Sequence, residues 1–408
     1  MSVVSQQGNE YRGGRAGVLL RRPSGLWWLP WVLVLALAVF RMIVAFAFPL
    51  MDLAVYRQAG MDVVSGVSPY IKRPALPFTY PPFAALLATP LAVMPKLLGD
   101  VLMSVLSAVA LGVSVVVIGR RVRLPGASAW WVIPICLTLT PVWRTFGLGQ
   151  VNLYLLAIIV LDALVVRGRW RGFLIGVAAG IKLTPGIFML YFLVTRQWRA
   201  AVTSGLGFLA TVALGALALP EDARRYWFVL LRDPTRVGGV SYADNQSLGG
   251  ALSRFFPLTD TATLLLALVV IGVGLALSVR LHARGSEVLA LITVGLTGLA
   301  ASPVSWSHHW VWVIPAILWL LANGRTGIAI ACCAAMVVAP LEWAASIPEP
   351  AFAVTLGWLY PAIGAAFIAA LIRRGRPLDN DSRREGLSSR RGPSKEAETA
   401  RGGAQALV

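Results

Sequence analysis

The sequence has few charged residues, few histidines and few cysteines. Only 13% of its 408 residues are Asp, Glu, Lys or Arg, whereas soluble domains contain about 25%. Cys136, Cys332 and Cys333 all lie in apolar runs, where we expect packed side chains rather than disulfides. The histidines form no H-x-x-x-H pair or Cys/His set, so we expect neither a metal nor another cofactor. This composition excludes an ordinary soluble domain.

The sequence contains long apolar runs and is rich in hydrophobic residues. The chain is 57% hydrophobic, with a mean hydropathy of +0.73. Residues 27–48 contain one charge, Arg41, and residues 101–118 contain none. Such lengths are typical of transmembrane helices. The first run is also longer than the apolar part of a signal peptide, so we predict an uncleaved first span in a multi-spanning membrane protein.

The net charge of +18 comes from basic residues whose positions along the chain are explained by membrane topology. The basic residues lie between apolar runs and not on one helix face, so we predict no nucleic-acid partner. Lys and Arg in short loops stay cytoplasmic. This rule puts Arg120, Arg169, Arg284, Arg325 and both termini inside. It predicts an all-α protein of the cell membrane with about 12 transmembrane helices, including short broken ones.

The chain divides into three regions. Residues 1–26 form a basic cytoplasmic N-terminus, residues 27–372 a transmembrane catalytic domain, and residues 373–408 a tail too poor in apolar residues to fold. Within the membrane domain, we expect residues 83–94 to form a re-entrant or interfacial hairpin at the outer face. Residues 172–194 contain Gly180 and Pro185, and we expect two short helices with Lys182 near the outer tip.

This topology places several polar clusters at the outer face. They lie at residues 52–57, 79–82, 147–150, 244–247 and 305–309, and Lys182 is a sixth element. Each has a purely structural alternative: a helix cap, a turn, a bend or an interfacial anchor. Their convergence on one face favours a shared site.

Four kinds of side chain in these clusters carry chemistry. Asp52, directly after the first span, is a candidate general base or a helix cap. Lys182 is a candidate phosphate ligand or a snorkelling anchor, and Arg144 is a second candidate cation. His308 and His309 are interfacial anchors or phosphate ligands, and adjacent helical side chains diverge, so one of them faces the cavity.

In combination, six stretches resemble the polyprenol-phosphate-mannose-dependent transferases of glycosyltransferase family 87. The stretches are 52–60 (DLAVYRQAG), 78–83 (FTYPPF), 149–152 (GQVN), 180–185 (GIKLTP), 245–248 (NQSL) and 302–309 (SPVSWSHH). The resemblance implies a GT-C membrane fold with its active site on the periplasmic, extracytoplasmic face. It also implies that Asp52 is the catalytic aspartate and that His308 or His309 acts at the donor phosphate.

The family resemblance further implies the substrates. The donor would be polyprenyl-phosphate mannose. The acceptor would be a mannosylated phospholipid, a phosphatidylinositol mannoside, to which mannose is added through an α-1,2 linkage. The protein would also contact membrane lipids. One base without a second carboxylate suits single displacement with inversion, while Lys182, Arg144 or a histidine stabilises the leaving phosphate. We expect the substrate contacts from Tyr56, Arg57, Tyr80, Gln150, Asn245 and Gln246.

Two other functions remain open from the residues. A transferase that uses polyprenyl-phosphate arabinose would need the same residue types. A secondary transporter would also have broken helices and intramembrane charges. Against the transporter, the sequence contains no repeated half, and its polar clusters gather at one face rather than at the midplane.

Overall fold

The structure is a computed structural model that describes residues 28–73, 76–242, 244–337 and 358–373. The predicted basic N-terminus at residues 1–26 lies outside the described residues, as does nearly all of the predicted tail. Within the described parts, the secondary structure is helical, and the only β interaction is an isolated bridge between Asn245 and Trp306. The predicted all-α class is confirmed for these residues.

Eighteen α-helices are described. In chain order they are α1 (Leu29–Ala47), α2 (Met51–Val64), α3 (Pro82–Leu87), α4 (Thr89–Val93), α5 (Lys96–Arg121), α6 (Gly126–Thr138), α7 (Thr140–Leu148), α8 (Asn152–Leu164), α9 (Phe173–Ile181), α10 (Gly186–Val194), α11 (Trp198–Ala218), α12 (Pro220–Phe228), α13 (Leu248–Ser253), α14 (Asp260–Ala283), α15 (Glu287–Ala301), α16 (Val313–Ala322), α17 (Thr326–Val337) and α18 (Leu359–Arg373). A 3₁₀ helix, Ser307–Trp312, precedes α16.

Three of these helices, α5, α11 and α14, are long and apolar enough to cross a membrane. A fourth candidate is the pair Trp131–Thr138 and Thr140–Leu148, bent by 72° at Leu139. Large apolar side chains such as Leu209 and Val269 are exposed on these helices, as lipid contact requires. The chain is therefore an integral membrane protein, while the count of about twelve spans stays a prediction.

Two short broken segments have the form that their prolines and glycines predict. Helices α3 and α4 occupy residues 82–93 and are separated at Ala88. Helix α9 ends at Ile181 and α10 begins at Gly186, so Lys182 lies in the break between them. Pro185 cannot donate a hydrogen bond to a continuing helix, which explains the break. The outer-face position of both segments remains a prediction.

The buried apolar side chains form two clusters. The larger one joins α5 to α10 with α14 to α18. The smaller one joins α2, α3, α4 and α12 through residues such as Leu53, Tyr56, Tyr70 and Tyr226.

A separate group of charges joins three loops that the sequence places in the cytoplasm. Glu287, at the start of α15, accepts hydrogen bonds from Arg121 at 3.2 Å and from Arg171 at 2.5 Å. Arg121 ends α5, whose first residue is Lys96. At 1.5 Å per residue, α5 holds these two ends roughly 39 Å apart.

Candidate active site

Asp52 lies in the first turn of α2, directly after the end of α1. One of its carboxylate oxygens, Oδ2, accepts a hydrogen bond of 2.7 Å from the side-chain amide of Gln150. No hydrogen bond to the other oxygen is found among the described residues, and the side chain is only partly buried. Asp52 therefore keeps one oxygen available to a substrate.

The close approach of residue 150 to α2 depends on Gly149. This glycine ends α7 with φ of +70°, a conformation that L side chains rarely adopt. A Cβ at this position would lie 2.5 Å from the Cβ of Leu53. The absence of a side chain thus brings the α7–α8 connection against α2 and places Gln150 beside Asp52.

Two tyrosines determine the orientation of the Gln150 amide. Its oxygen lies 3.0 Å from the hydroxyl of Tyr56 and 3.2 Å from that of Tyr80, and the two hydroxyls are 2.8 Å apart. Each phenol has one proton to donate. The amide oxygen accepts from this pair, so the amide NH₂ group faces Asp52.

Lys182 lies close to the ring of Tyr80. Its ammonium group donates to Oδ1 of Asn152 at 3.0 Å and contacts Nε2 of His309 at 3.0 Å. It also lies 5.4 Å from the centroid of the Tyr80 ring. An ammonium group has three N–H donors, so one donor remains for a ligand.

The two adjacent histidines have different environments. His309 lines an apolar cavity together with Lys182, and its Nε2 must be unprotonated to accept a hydrogen bond from the ammonium group. His308 is buried, and neither ring nitrogen has a hydrogen-bond partner among the described residues. Its backbone oxygen accepts from Asn152 at 3.0 Å and Thr145 at 3.3 Å. The two rings contact each other edge to face, with their centroids 4.7 Å apart, so they do not diverge as expected for adjacent helical residues. His309 is the one that contacts Lys182.

Arg144, Asn245 and Gln246 contact residues of the connections before α13 and after α15. Arg144 forms an ion pair of 3.5 Å with Asp244. The Asn245 amide donates to the Pro303 carbonyl at 3.0 Å and accepts from the Ser305 backbone at 2.9 Å. The Gln246 backbone donates to the Ser305 carbonyl at 2.7 Å. These residues hold the connections before α13 and after α15 together.

Arg57 points away from the group around Asp52. Its guanidinium donates to the backbone oxygen of Met94, at the end of α4.

Conversely, Asn152 was not among the predicted site residues, although it binds both Lys182 and the His308 backbone. Its position two residues after Gln150, at the start of a buried helix, was the signal available in the sequence.

Burial and nearby cations act in opposite directions on Asp52. Burial raises the pKa of its carboxyl group, while the Gln150 hydrogen bond and the charges of Lys182 and Arg144 lower it. Burial has the larger effect, so the pKa lies above the ordinary value of about 3.9. The carboxylate is a stronger base than an exposed aspartate.

An apolar cavity borders the cationic part of this group. Lys182, His309 and Thr184 supply polar atoms to its wall, and Leu156, Phe188, Leu299 and Trp312 are among the apolar residues. A base, a cation with a free donor and an apolar cavity thus lie side by side. This combination suits transfer from a lipid-linked phosphate to a hydroxyl.

The comparisons with known proteins agree with this chemistry. The family model "Glycosyltransferase family 87" matches residues 78–303. A Mycobacterium tuberculosis H37Rv protein, the polyprenol-phosphate-mannose-dependent alpha-(1-2)-phosphatidylinositol mannoside mannosyltransferase, is 35% identical over 66% of this chain and 68% of its own length. The corresponding pentamannoside mannosyltransferase of M. tuberculosis CDC 1551 is 33% identical over 73% of this chain and 72% of its own length.

Among solved structures, ArnT from Cupriavidus metallidurans bound to undecaprenyl phosphate superposes with a TM-score of 0.39. The sequences are 17% identical over 85% of this chain and 77% of the other. The family model, by contrast, matches more than half of the chain, and both mycobacterial relatives align over more than two thirds of their own length. The chain therefore belongs to glycosyltransferase family 87.

Proposed function

We propose that this chain is an inverting mannosyltransferase of GT-C type. It moves mannose from polyprenyl-phosphate mannose to a hydroxyl of a phosphatidylinositol mannoside and forms an α-1,2 bond. The names of the mycobacterial relatives support the donor, the acceptor class and the linkage. The observation that carries the mechanism is the position of Asp52, which is held by Gln150, while Gln150 contacts Tyr80 and the Tyr80 ring lies 5.4 Å from the Lys182 ammonium group.

Asp52 acts as the general base. The acceptor hydroxyl lies against its Oδ1 and attacks the anomeric carbon from the face opposite the phosphate. A new C–O bond forms, the bond from the anomeric carbon to the phosphate oxygen breaks, and its electron pair leaves on the polyprenyl phosphate. The hydroxyl proton goes to Asp52. One displacement converts a β-linked donor into an α-mannoside.

Lys182 stabilises the charge that develops on the leaving phosphate. Asn152 and His309 occupy two of its donors, and the third binds a phosphate oxygen. His309 remains neutral and positions the ammonium group rather than supplying a second charge. Because the cavity beside both residues is apolar, it accommodates the first units of the prenyl chain.

The active site lies on the extracytoplasmic face in this proposal, and both termini are cytoplasmic. The support is the loop-charge distribution and the length of α5, which separates Lys96 from Arg121. The charged cluster around Glu287 then lies on the cytoplasmic side.

The test is transfer by the purified protein in phosphatidylcholine vesicles. Synthetic polyprenyl-phosphate mannose and polyprenyl-phosphate arabinose are offered as separate donors with phosphatidylinositol mannosides as acceptors. We expect mannose transfer, an α-1,2 product by NMR and no product with Asp52→Asn. Transfer of arabinose alone would replace the donor assignment. Movement of intact donor across sealed vesicles without transfer would make the protein a transporter.

A further inference from the structure

A pair of arginines lies near a row of aromatic rings that leads to the proposed active site. Arg225 is on α12, and Arg236 is in the segment that follows this helix. Arg225 is close enough for its positive charge to lower the pKa of Arg236, although burial lowers it more. Two like charges held near each other are destabilising unless an anion joins them.

Arg236 is held firmly, but it keeps donors for a ligand. Its guanidinium lies 5.7 Å from the centroid of the Tyr70 ring and donates one hydrogen bond of 2.9 Å to the backbone oxygen of Phe78. A guanidinium group has five N–H donors. Neither Arg225 nor Arg236 forms an ion pair within 4.0 Å among the described residues.

Three carboxylates lie close to this pair in the sequence. Asp222 accepts a hydrogen bond from Ser68. The charge of Asp233 raises the pKa of the Arg236 guanidinium more than the charge of Arg225 lowers it, but less than burial lowers it. Glu221 lies one turn before Arg225 without an ion pair in the described chain. Because neither arginine forms an ion pair among the described residues, both guanidinium groups keep N–H donors for an anionic ligand.

The surrounding surface suits the headgroup region of a membrane. Helix α12 begins two residues after α11, one of the helices long enough to span the bilayer. Phe228 and Val229, directly after the turn with Arg225, are 65% and 60% exposed. Exposed apolar side chains beside arginines are typical of helices that lie at the membrane interface.

Aromatic contacts connect this surface to Asp52. Tyr226 stacks on Tyr70 at 5.6 Å, Tyr70 contacts Phe78 at 5.8 Å, and Phe78 contacts Tyr80 at 5.7 Å between ring centroids. Tyr80 shares Gln150 with Asp52. The arginines are thus several ring widths from the base, on the side of Tyr80 that belongs to the smaller apolar cluster. Lys182 and the apolar cavity border the larger one.

We propose that Arg225 and Arg236 bind the phosphodiester of the acceptor lipid while its terminal mannose reaches Asp52. This inference rests on the proposed function, which makes the acceptor an anionic glycolipid. In this binding mode, the row of aromatic rings from Tyr226 to Tyr80 lies between the phosphodiester of the acceptor and Asp52, and a short glycan spans that distance. The arginine pair selects acceptors that carry a phosphodiester in addition to mannose.

The test compares two acceptors in neutral phosphatidylcholine vesicles: a phosphatidylinositol mannoside and an uncharged alkyl mannoside. We expect Arg225→Gln with Arg236→Gln to raise KM for the phospholipid acceptor about tenfold or more, the loss expected when charge-assisted hydrogen bonds are removed. KM for the donor and KM for the alkyl mannoside should change less than about twofold. Arg224→Gln, on the same helix and exposed, is the matched control.

Three results would overturn the proposal. They are an equal KM increase for both acceptors, no increase for either, and an equal effect of Arg224→Gln. An equal KM increase for both acceptors would mean that the arginines act through packing. An equal effect of Arg224→Gln would mean that only the overall surface charge matters. Failure of the proposed function has a different signature, because the unaltered protein would then transfer mannose to neither acceptor. Thermal unfolding of each variant shows whether it folds normally.

Discussion

The side-chain amide of Gln150 donates a hydrogen bond of 2.7 Å to Oδ2 of Asp52, a residue 98 positions earlier in the chain. The amide oxygen faces the hydroxyls of Tyr56 and Tyr80, so the NH₂ group is presented to the carboxylate. This arrangement favours ionised Asp52 and leaves Oδ1 to the acceptor. In the proposed mechanism, Gln150 positions the base rather than the sugar.

Asp52→Asn should abolish transfer. Asparagine has nearly the same size and shape but cannot take the hydroxyl proton, and losing a positioned base costs about 10²–10⁴-fold in rate. Asp62→Asn is the comparison, because Asp62 is also on α2 but is ion-paired with Arg73 at 2.6 Å. Single-turnover rates with saturating donor measure the effect. Near-normal turnover by Asp52→Asn would remove this residue from the mechanism.

The acidic limb of the pH–rate profile should report Asp52. Only the carboxylate accepts a proton, so activity is present above its pKa and is lost as the pH falls through it. Because burial raises this pKa, the loss should occur above the range of an ordinary aspartate, about 3.9. Gln150→Met removes a hydrogen bond that lowers the pKa and should move the limb to higher pH. An unchanged limb would contradict the positioning role of Gln150.

Lys182→Ala should raise KM for the phosphate donor at least tenfold, because it removes the cation of the site. His309→Ala should have a similar but smaller effect, since His309 contacts the ammonium group through Nε2. His308→Ala should leave KM for the donor nearly unchanged, because the His308 ring has no hydrogen bond to Lys182 in the described chain. Equal small effects of both histidine substitutions would make them interfacial anchors.

Gly149→Ala should lower activity sharply. The new Cβ would lie 2.5 Å from Leu53 and displace α2, which carries Asp52. Gly66→Ala is the control, because Gly66 also has a positive φ, of 68°, but open space around it. Alanine at position 66 adds only backbone strain, so the difference in kcat measures the collision. Similar kcat losses in both variants would mean that the contact with α2 is unimportant.

Single cysteines introduced for Lys96 and Arg121 should react from opposite sides of the membrane. These residues are the two ends of α5. An impermeant thiol reagent applied outside should label position 96, with positions 169 and 284 protected like 121. Labelling of position 121 from outside would contradict this topology and would mean that residues 83–94 cross the membrane completely.

The sequence determined the class and the family because those depend on composition and on local order. Long apolar runs predicted membrane helices, and Gly180 with Pro185 predicted the break that α9 and α10 show. The six motifs indicated glycosyltransferase family 87, which the family model confirms. Span counting was less informative, because several apolar helices have only 10–17 residues and length alone does not show whether they cross.

Tertiary structure alone decided which polar residues meet. Residues 52, 80, 150 and 182 share contacts because Gly149 lets one connection approach α2 and because α9 breaks at Lys182. In the packed structure, Arg57 binds the backbone of Met94, and Asn245 joins two loops through its contacts with Pro303 and Ser305. Side-chain partners far apart in the chain depend on helix packing and backbone direction, which local spacing does not specify. Sequence therefore supplied the candidate residues, and packing assigned their neighbours.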